Sequence, residues 1–93
     1  MRITWTRQAT RDLQSLRTYI ARDNPDAARS VALRILESVE RLGDHPASGR
    51  YGRLPNTREL IVPGTPFIVP YRTRDEVVEI LAIMHAARQW PER

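Results

Sequence analysis

Between Arg58 and Met84 the chain carries three runs rich in β-forming residues, and only tight turns separate them. "RELIV" (58–62) passes through "PGTP" (63–66) into "FIVPYR" (67–72), and "TRDE" (73–76) leads on to "VVEILAIM" (77–84). Turns this short leave no length for a crossover connection, so the three runs must pair antiparallel as a meander. A sheet of this kind has to bury one face against a second layer.

The preceding residues supply that layer. "RITWT" (2–6) alternates and reads as a short strand. Thr6 is placed to cap a helix whose apolar stripe is Ala9, Leu13, Leu16, Tyr19 and Ile20, with Arg7, Arg11, Asp12, Arg17 and Arg22 mostly off the stripe. The helix stops at "RDNPDAA", where Asn24 is a good N-cap and Pro25 occupies the first position of a second helix. Ala28, Val31, Ala32, Ile35, Leu36, Val39 and Leu42 give the second stripe, and Gly43 marks its end. The short connection predicts an antiparallel helix hairpin. Residues 43–57 hold three of the four glycines and read as a loop. The expected fold is α+β and a single domain over 1–93: an N-terminal strand, a helix hairpin, then a three-strand antiparallel meander forming one small sheet packed on the helices.

Two features strain this picture. Pro70 falls inside the middle strand, where it can donate no ladder hydrogen bond, so a bulge or an outward-facing nitrogen is expected there. Both faces of the sheet also look apolar. Val78, Ile80, Ala82 and Met84 alternate with Val77, Leu81 and Ile83, and only Glu79 is polar. A helix hairpin covers one face, so part of the other is expected to be bare and to mark a partner site, unless the 43–57 loop and the C-terminal tail fold over it.

Composition narrows the chemistry. Ninety-three residues leave no room for a second domain or a large cofactor cleft. There is no cysteine and only His45 and His85 among histidines, so neither a disulfide nor a metal site is expected, and no cofactor. No long apolar run or signal region is present, which predicts a cytoplasmic protein without membrane contact. All fifteen basic residues are arginine, and the formal net charge is +4. Guanidinium groups suit phosphate, nucleic-acid and carboxylate partners. Arg50, Arg53, Arg58, Arg72 and Arg88 are able to hold phosphate. After the last strand, "HAARQWP" (85–91) sets an imidazole, a guanidinium and an indole side by side. His85 is a candidate acid or base, because imidazole changes charge near neutral pH, although a single histidine at a strand end is more often a packed or solvated side chain. Arg88 and Trp90 are of the types that most often anchor interfaces, and Trp90 with Arg88 stacked on it is also a natural plug for the end of a core. His45, preceding a proline in a loop, reads as structural.

The order of these elements, with "WTRQATRDL" (5–13), "HPASGR" (45–50), "RELIVPGTPFIVPYR" (58–72) and "ILAIMHAARQWP" (80–91), resembles the RelE/ParE superfamily of toxins from type II toxin–antitoxin systems over essentially the whole chain. Tyr71-Arg72 and His85…Arg88…Trp90-Pro91 are the nearest matches. The resemblance implies a toxin neutralised by direct binding of an antitoxin, whose disordered C-terminal segment folds on the toxin. It also implies one of two modes of action. RelE-like members cut mRNA on the ribosome, while ParE-like members inhibit DNA gyrase and have no known catalytic centre. Here lysines are absent, the position of the RelE middle-strand arginine falls near Pro66 or Phe67, and only nine residues follow Met84, too few for the RelE C-terminal helix. These departures favour the ParE-like branch, with gyrase as target. The mRNA endoribonuclease is the first alternative, with His85 and Arg88 as its catalytic candidates, and a non-toxic basic nucleic-acid-binding module is the second. Target-binding candidates are then Arg58, Arg72, His85, Arg88 and Trp90, phosphate-binding candidates are Arg50 and Arg53, and antitoxin-contact candidates are Leu13, Leu16, Ile20, Leu81 and Ile83.

Overall fold

A computed structural model of the chain describes residues 1–87. Strand β1 (Arg2–Trp5) leads into helix α1 (Arg7–Ala21), and helix α2 (Pro25–Arg41) follows after a short connection. The short strand β2 (Arg50–Tyr51) precedes β3 (Arg58–Ile61), β4 (Phe67–Arg74), β5 (Val77–Ile80) and β6 (Met84–His85). Both helices start where local chemistry predicts. The Thr6 hydroxyl accepts the Ala9 N–H at 3.0 Å, and the Asn24 side chain accepts that of Ala27 at 3.0 Å, with Pro25 at the first turn. No helix among the described residues is long and apolar enough to cross a membrane.

Among the described residues the strands form one sheet in the order β1-β5-β4-β3-β2, with β6 also paired to β4. The meander β3-β4-β5 is antiparallel as expected. "PGTP" closes as a turn in which Pro63 precedes Gly64 at positive φ and Thr65 N–H reaches the Val62 carbonyl at 3.3 Å, the pattern of a type II turn. The next turn is tighter than the expected 73–76. Arg74 pairs with Val77, so Asp75 and Glu76 alone form the loop, at φ 54° and 61°. Positive φ at both positions is the signature of a type I′ hairpin. The expected loop 43–57 contains one further strand, β2, which adds to the edge of β3. β1 joins the opposite side by running parallel to β5, with Ile3 beside Val78 and Trp5 beside Ile80.

The third predicted strand does not run unbroken to Met84. Tyr71 pairs with Ile80, yet Ile68 pairs with Met84, so three residues (81–83) face two (69–70). This is a β-bulge, and it lies opposite Pro70. The Pro70 carbonyl accepts Leu81 N–H at 2.9 Å, which turns its ring nitrogen toward the bulge, where no ladder bond is missed. The extra residue also reverses the alternation. Ile83 joins Val78 and Ile80 in the core, whereas Met84 goes to the opposite face, unlike the unbroken pattern read from the sequence.

The core lies between the helices and one face of the sheet. Ala9, Ile35, Val39 and Leu42 meet Val62, Val69, Tyr71, Val78, Ile80 and Ile83 there. Two expected core residues stand outside it. Tyr19 is 71% and Leu36 42% exposed, because the helices offer wider apolar surface than the narrow sheet can cover. The outer sheet face is not bare as expected: Ile68, Pro70 and Met84 are buried. Part of the cover comes from residues 52–57, which Arg53 ties down through Glu59 and the Ala86 carbonyl at 3.4 Å. On the same face Ile61, paired with Ile68, is 55% exposed, and the other exposed large apolar side chains include Tyr19, Leu33 and Leu36 on the helices and Tyr51 on the edge strand β2.

Candidate functional site

An open groove runs between α1 and the β6 side of the sheet. Leu16, Tyr19 and Ile20 form one wall, Phe67, Ile83, Met84 and His85 the other, and Arg11, Asp12 and Arg22 flank it. The groove exists because β1 ends at Trp5 while the β5–β6 line continues past it, so the second half of α1 has no strand beneath it. The edge left open is only partly capped. Asp12 reaches across from α1, and its carboxylate accepts the Ile83 N–H at 3.0 Å and Gln8 Nε2–H at 2.7 Å. Thr6 clips the same region, since its hydroxyl donates to the Leu81 carbonyl at 3.0 Å while capping the helix.

Three of the five antitoxin-contact candidates, Leu16, Ile20 and Ile83, meet in this groove. Leu13 packs against the core instead, and Leu81 is engaged in the bulge through both its N–H and its carbonyl. His85 sits on the rim, its ring edge-on to Phe67 with centroids 6.0 Å apart. Its Nδ1 accepts the Ala87 N–H at 3.1 Å, which leaves Nε2 as the nitrogen directed elsewhere.

The other target-binding candidates do not converge on His85. Arg58 shares the helix-side face with Tyr71. It donates to the Ala47 and Gly49 carbonyls at 3.3 and 2.8 Å, and its guanidinium lies 4.7 Å from the Tyr51 ring centre. Arg58 therefore holds the 44–49 loop, together with the buried Tyr71 hydroxyl, which donates to Pro46 and accepts Gly49 N–H. Arg72 points to the outer face and pairs with Glu79 at 2.6 Å. Strand alternation separates these two arginines, a distinction hidden while the register was unknown. Arg88 and Trp90 lie outside the described residues.

The phosphate-binding candidates do come together. Glu59, 2% exposed, is bonded through one oxygen to Arg50 Nη2 at 3.1 Å and through the other to Arg53, N–H at 3.0 Å and Nε at 3.5 Å. Sequence reasoning missed Glu59, Asp12 and Tyr51. The one visible signal for Glu59 was an acid inside an apolar strand run, two arginines upstream of it. Asp12 had none, its partner being 71 residues away. Among the described residues no group of histidines and carboxylates is arranged to hold a metal.

The comparisons agree with this architecture. The family model described as the ParE toxin of the type II toxin–antitoxin system parDE matches residues 3–90. The chain is 51% identical over 92 residues, 98% of its length and 94% of the other's, to a protein of Sinorhizobium fredii named "Putative toxin Y4kP". It is 35% identical over 86 residues to toxin RelE2 of Caulobacter vibrioides, covering 92% of this chain and 96% of that one. Among solved structures, a chain of the chromosomal ParDE system from P. aeruginosa superposes with a TM-score of 0.81 at 30% identity, over 91% of this chain and 95% of that one. The E. coli RelBE complex gives 0.61 over 94% and 98% at 12% identity, a likeness of fold alone.

Proposed function

The chain belongs to the ParE toxin family of type II toxin–antitoxin systems, and from that premise we propose that it acts in the cytoplasm by binding DNA gyrase, and that an antitoxin silences it from the α1–β6 groove. The observation that carries the antitoxin half is the groove itself. Its walls are apolar, its flanks hold Arg11 and Arg22, and it borders a strand edge. An amphipathic segment with acidic residues beside its apolar stripe fits all three features. Leu16, Ile20 and Ile83 are the contacts within it, and Tyr19, more exposed than they are, extends them outward.

For the target, support comes from the ParE family match and from the lack of lysine in a chain of fifteen basic residues. His85 fits a positional role, its Nδ1 engaged with its own turn and its ring against Phe67. The second reading, a ribosome-dependent mRNA endoribonuclease, draws on one contact. Arg53 reaches the Ala86 carbonyl, which sets a guanidinium beside the strand that carries His85. Expression without antitoxin decides between them. Loss of gyrase supercoiling with intact mRNA supports the first reading, and codon-phased mRNA cuts that disappear in His85→Ala support the second.

We also propose Arg88 and Trp90 as contacts to the target, because their residue types most often anchor interfaces. A surface arginine changes stability by within about 0.5 kcal/mol when truncated, whereas an interface anchor is worth about 2 kcal/mol or more. Arg88→Ala is therefore expected to melt like the parent, to bind antitoxin and to lose growth arrest. Full arrest by a normally folded variant removes Arg88 from the surface.

A further inference from the structure

The sheet face turned away from the helices has a charge pattern that neither the antitoxin groove nor the core requires. By register, Arg2 and Arg74 flank Val77, Arg72 stands beside Glu79, and Arg50 stands beside Glu59. Arg53 folds onto the same face through Glu59. Five arginines thus share a surface with two carboxylates, and the hairpin acids Asp75 and Glu76 lie beyond the end of the Arg2–Arg74 row.

Glu59 is the informative member. Its side chain is 2% exposed, while those of Arg50 and Arg53 are 52% and 37% exposed. A buried carboxylate in a strand is seldom a net gain in stability over an apolar residue of the same volume. What it does here is hold two cations side by side. Unscreened, the two guanidiniums repel; with one carboxylate oxygen on each, both keep a fixed place on an otherwise shallow face. Planar forks held in fixed positions match phosphate oxygens better than mobile ones. Pro70 and Ile68 beneath are buried, so on this part of the face a ligand meets charged side chains first, with the exposed Ile61 to one side.

We propose that this arginine-lined outer face, organised by the buried Glu59, binds the phosphodiester backbone of a nucleic acid. On the edge strand β2, Tyr51 turns by register to the helix-side face with Arg58, is 84% exposed and has the Arg58 guanidinium on its ring, a platform that an unpaired base reaches by passing round the sheet edge. The proposal concerns the face away from the groove and does not depend on which target the toxin has.

The test is fluorescence anisotropy of the full-length toxin, free of antitoxin, with short labelled single-stranded RNA, single-stranded DNA and duplex DNA between about 50 and 200 mM salt. Binding should weaken linearly in log–log form. Arg50→Gln and Arg74→Gln should each lower the slope by about one, against no change for Arg29→Gln on α2. The three probes identify the source of the backbone: tighter binding of single strands, weakened in Tyr51→Ala, assigns an unpaired strand, and tighter binding of the duplex assigns the duplex. Arg74 is exposed at the hairpin and remote from Glu59, so its variant decides the matter even where Arg50→Gln alters folding. The proposal fails if no nucleic acid binds at the lowest salt, if Arg29→Gln lowers the slope as much as the face variants do, or if polyglutamate displaces the probe as well as unlabelled nucleic acid.

Discussion

At Glu76 the backbone occupies the left-handed region at φ 61°, next to Asp75 at 54°. Aspartate tolerates that region because its short side chain bonds locally, and glutamate lacks that advantage. The left-handed conformation costs a residue with a β-carbon about 1–2 kcal/mol, part of which a glycine gives back through its freer unfolded chain, about 0.5–1 kcal/mol. Glu76→Gly is therefore expected to stabilise the protein by about 0.5–1 kcal/mol, read as a rise in thermal midpoint of roughly 2–8 °C. An unchanged or lowered midpoint would show that Glu76 makes a compensating contact. Tyr71 gives the opposite case. Its buried hydroxyl both donates to Pro46 and accepts from Gly49, so Tyr71→Phe strands two backbone groups. The expected cost is about 1–3 kcal/mol in a denaturant titration with unchanged m-value.

Among the elements, α1 and the bulged β5–β6 line depend on each other through Thr6. One hydroxyl caps the helix and donates to Leu81 across the sheet, while the Thr6 N–H reaches the Ile80 carbonyl at 3.0 Å. Loss of an N-cap alone costs about 0.5–2 kcal/mol. Thr6→Ala also removes the Leu81 contact, so the upper half of that range is expected, with faster hydrogen exchange at Ala9 and at the bulge together. Exchange confined to α1 would mean that the two elements are independent. The bulge is equally the reason why Ile83 is a groove residue: without the extra position it would face outward with Ile68, and Met84 would take its place.

For the whole molecule, the question is where apolar surface remains open. The sequence pointed to the outer sheet face, where the structure leaves Ile61 exposed but buries Ile68, Pro70 and Met84, and most of the opening lies instead at the groove and at Tyr19, Leu33 and Leu36 on the helices. The toxin alone is expected to self-associate through these residues and to become monodisperse with its antitoxin. Ile20→Glu introduces a charge into the groove wall at a half-buried position, so antitoxin affinity should fall at least tenfold, about 1.4 kcal/mol, while the melt shifts far less than for a core change. Undiminished affinity in a folded Ile20→Glu variant would place the antitoxin elsewhere.

The line between sequence and tertiary structure follows the range of the interactions. Helix starts at Thr6 and Asn24, the PGTP turn and the antiparallel meander were legible because caps, prolines and short turns act over a few residues. Pro70 announced a bulge without showing which strand would carry the extra residue. The parallel pairing of β1 with β5 joins residues some 75 positions apart, as the Thr6–Leu81 bond does, and no local pattern encodes such a partner. The register then decides function. A shift of one residue turns every side chain to the opposite face, so only the folded sheet could separate Arg58 from Arg72, send Ile83 to the groove, and bring Arg50 and Arg53 onto the buried Glu59.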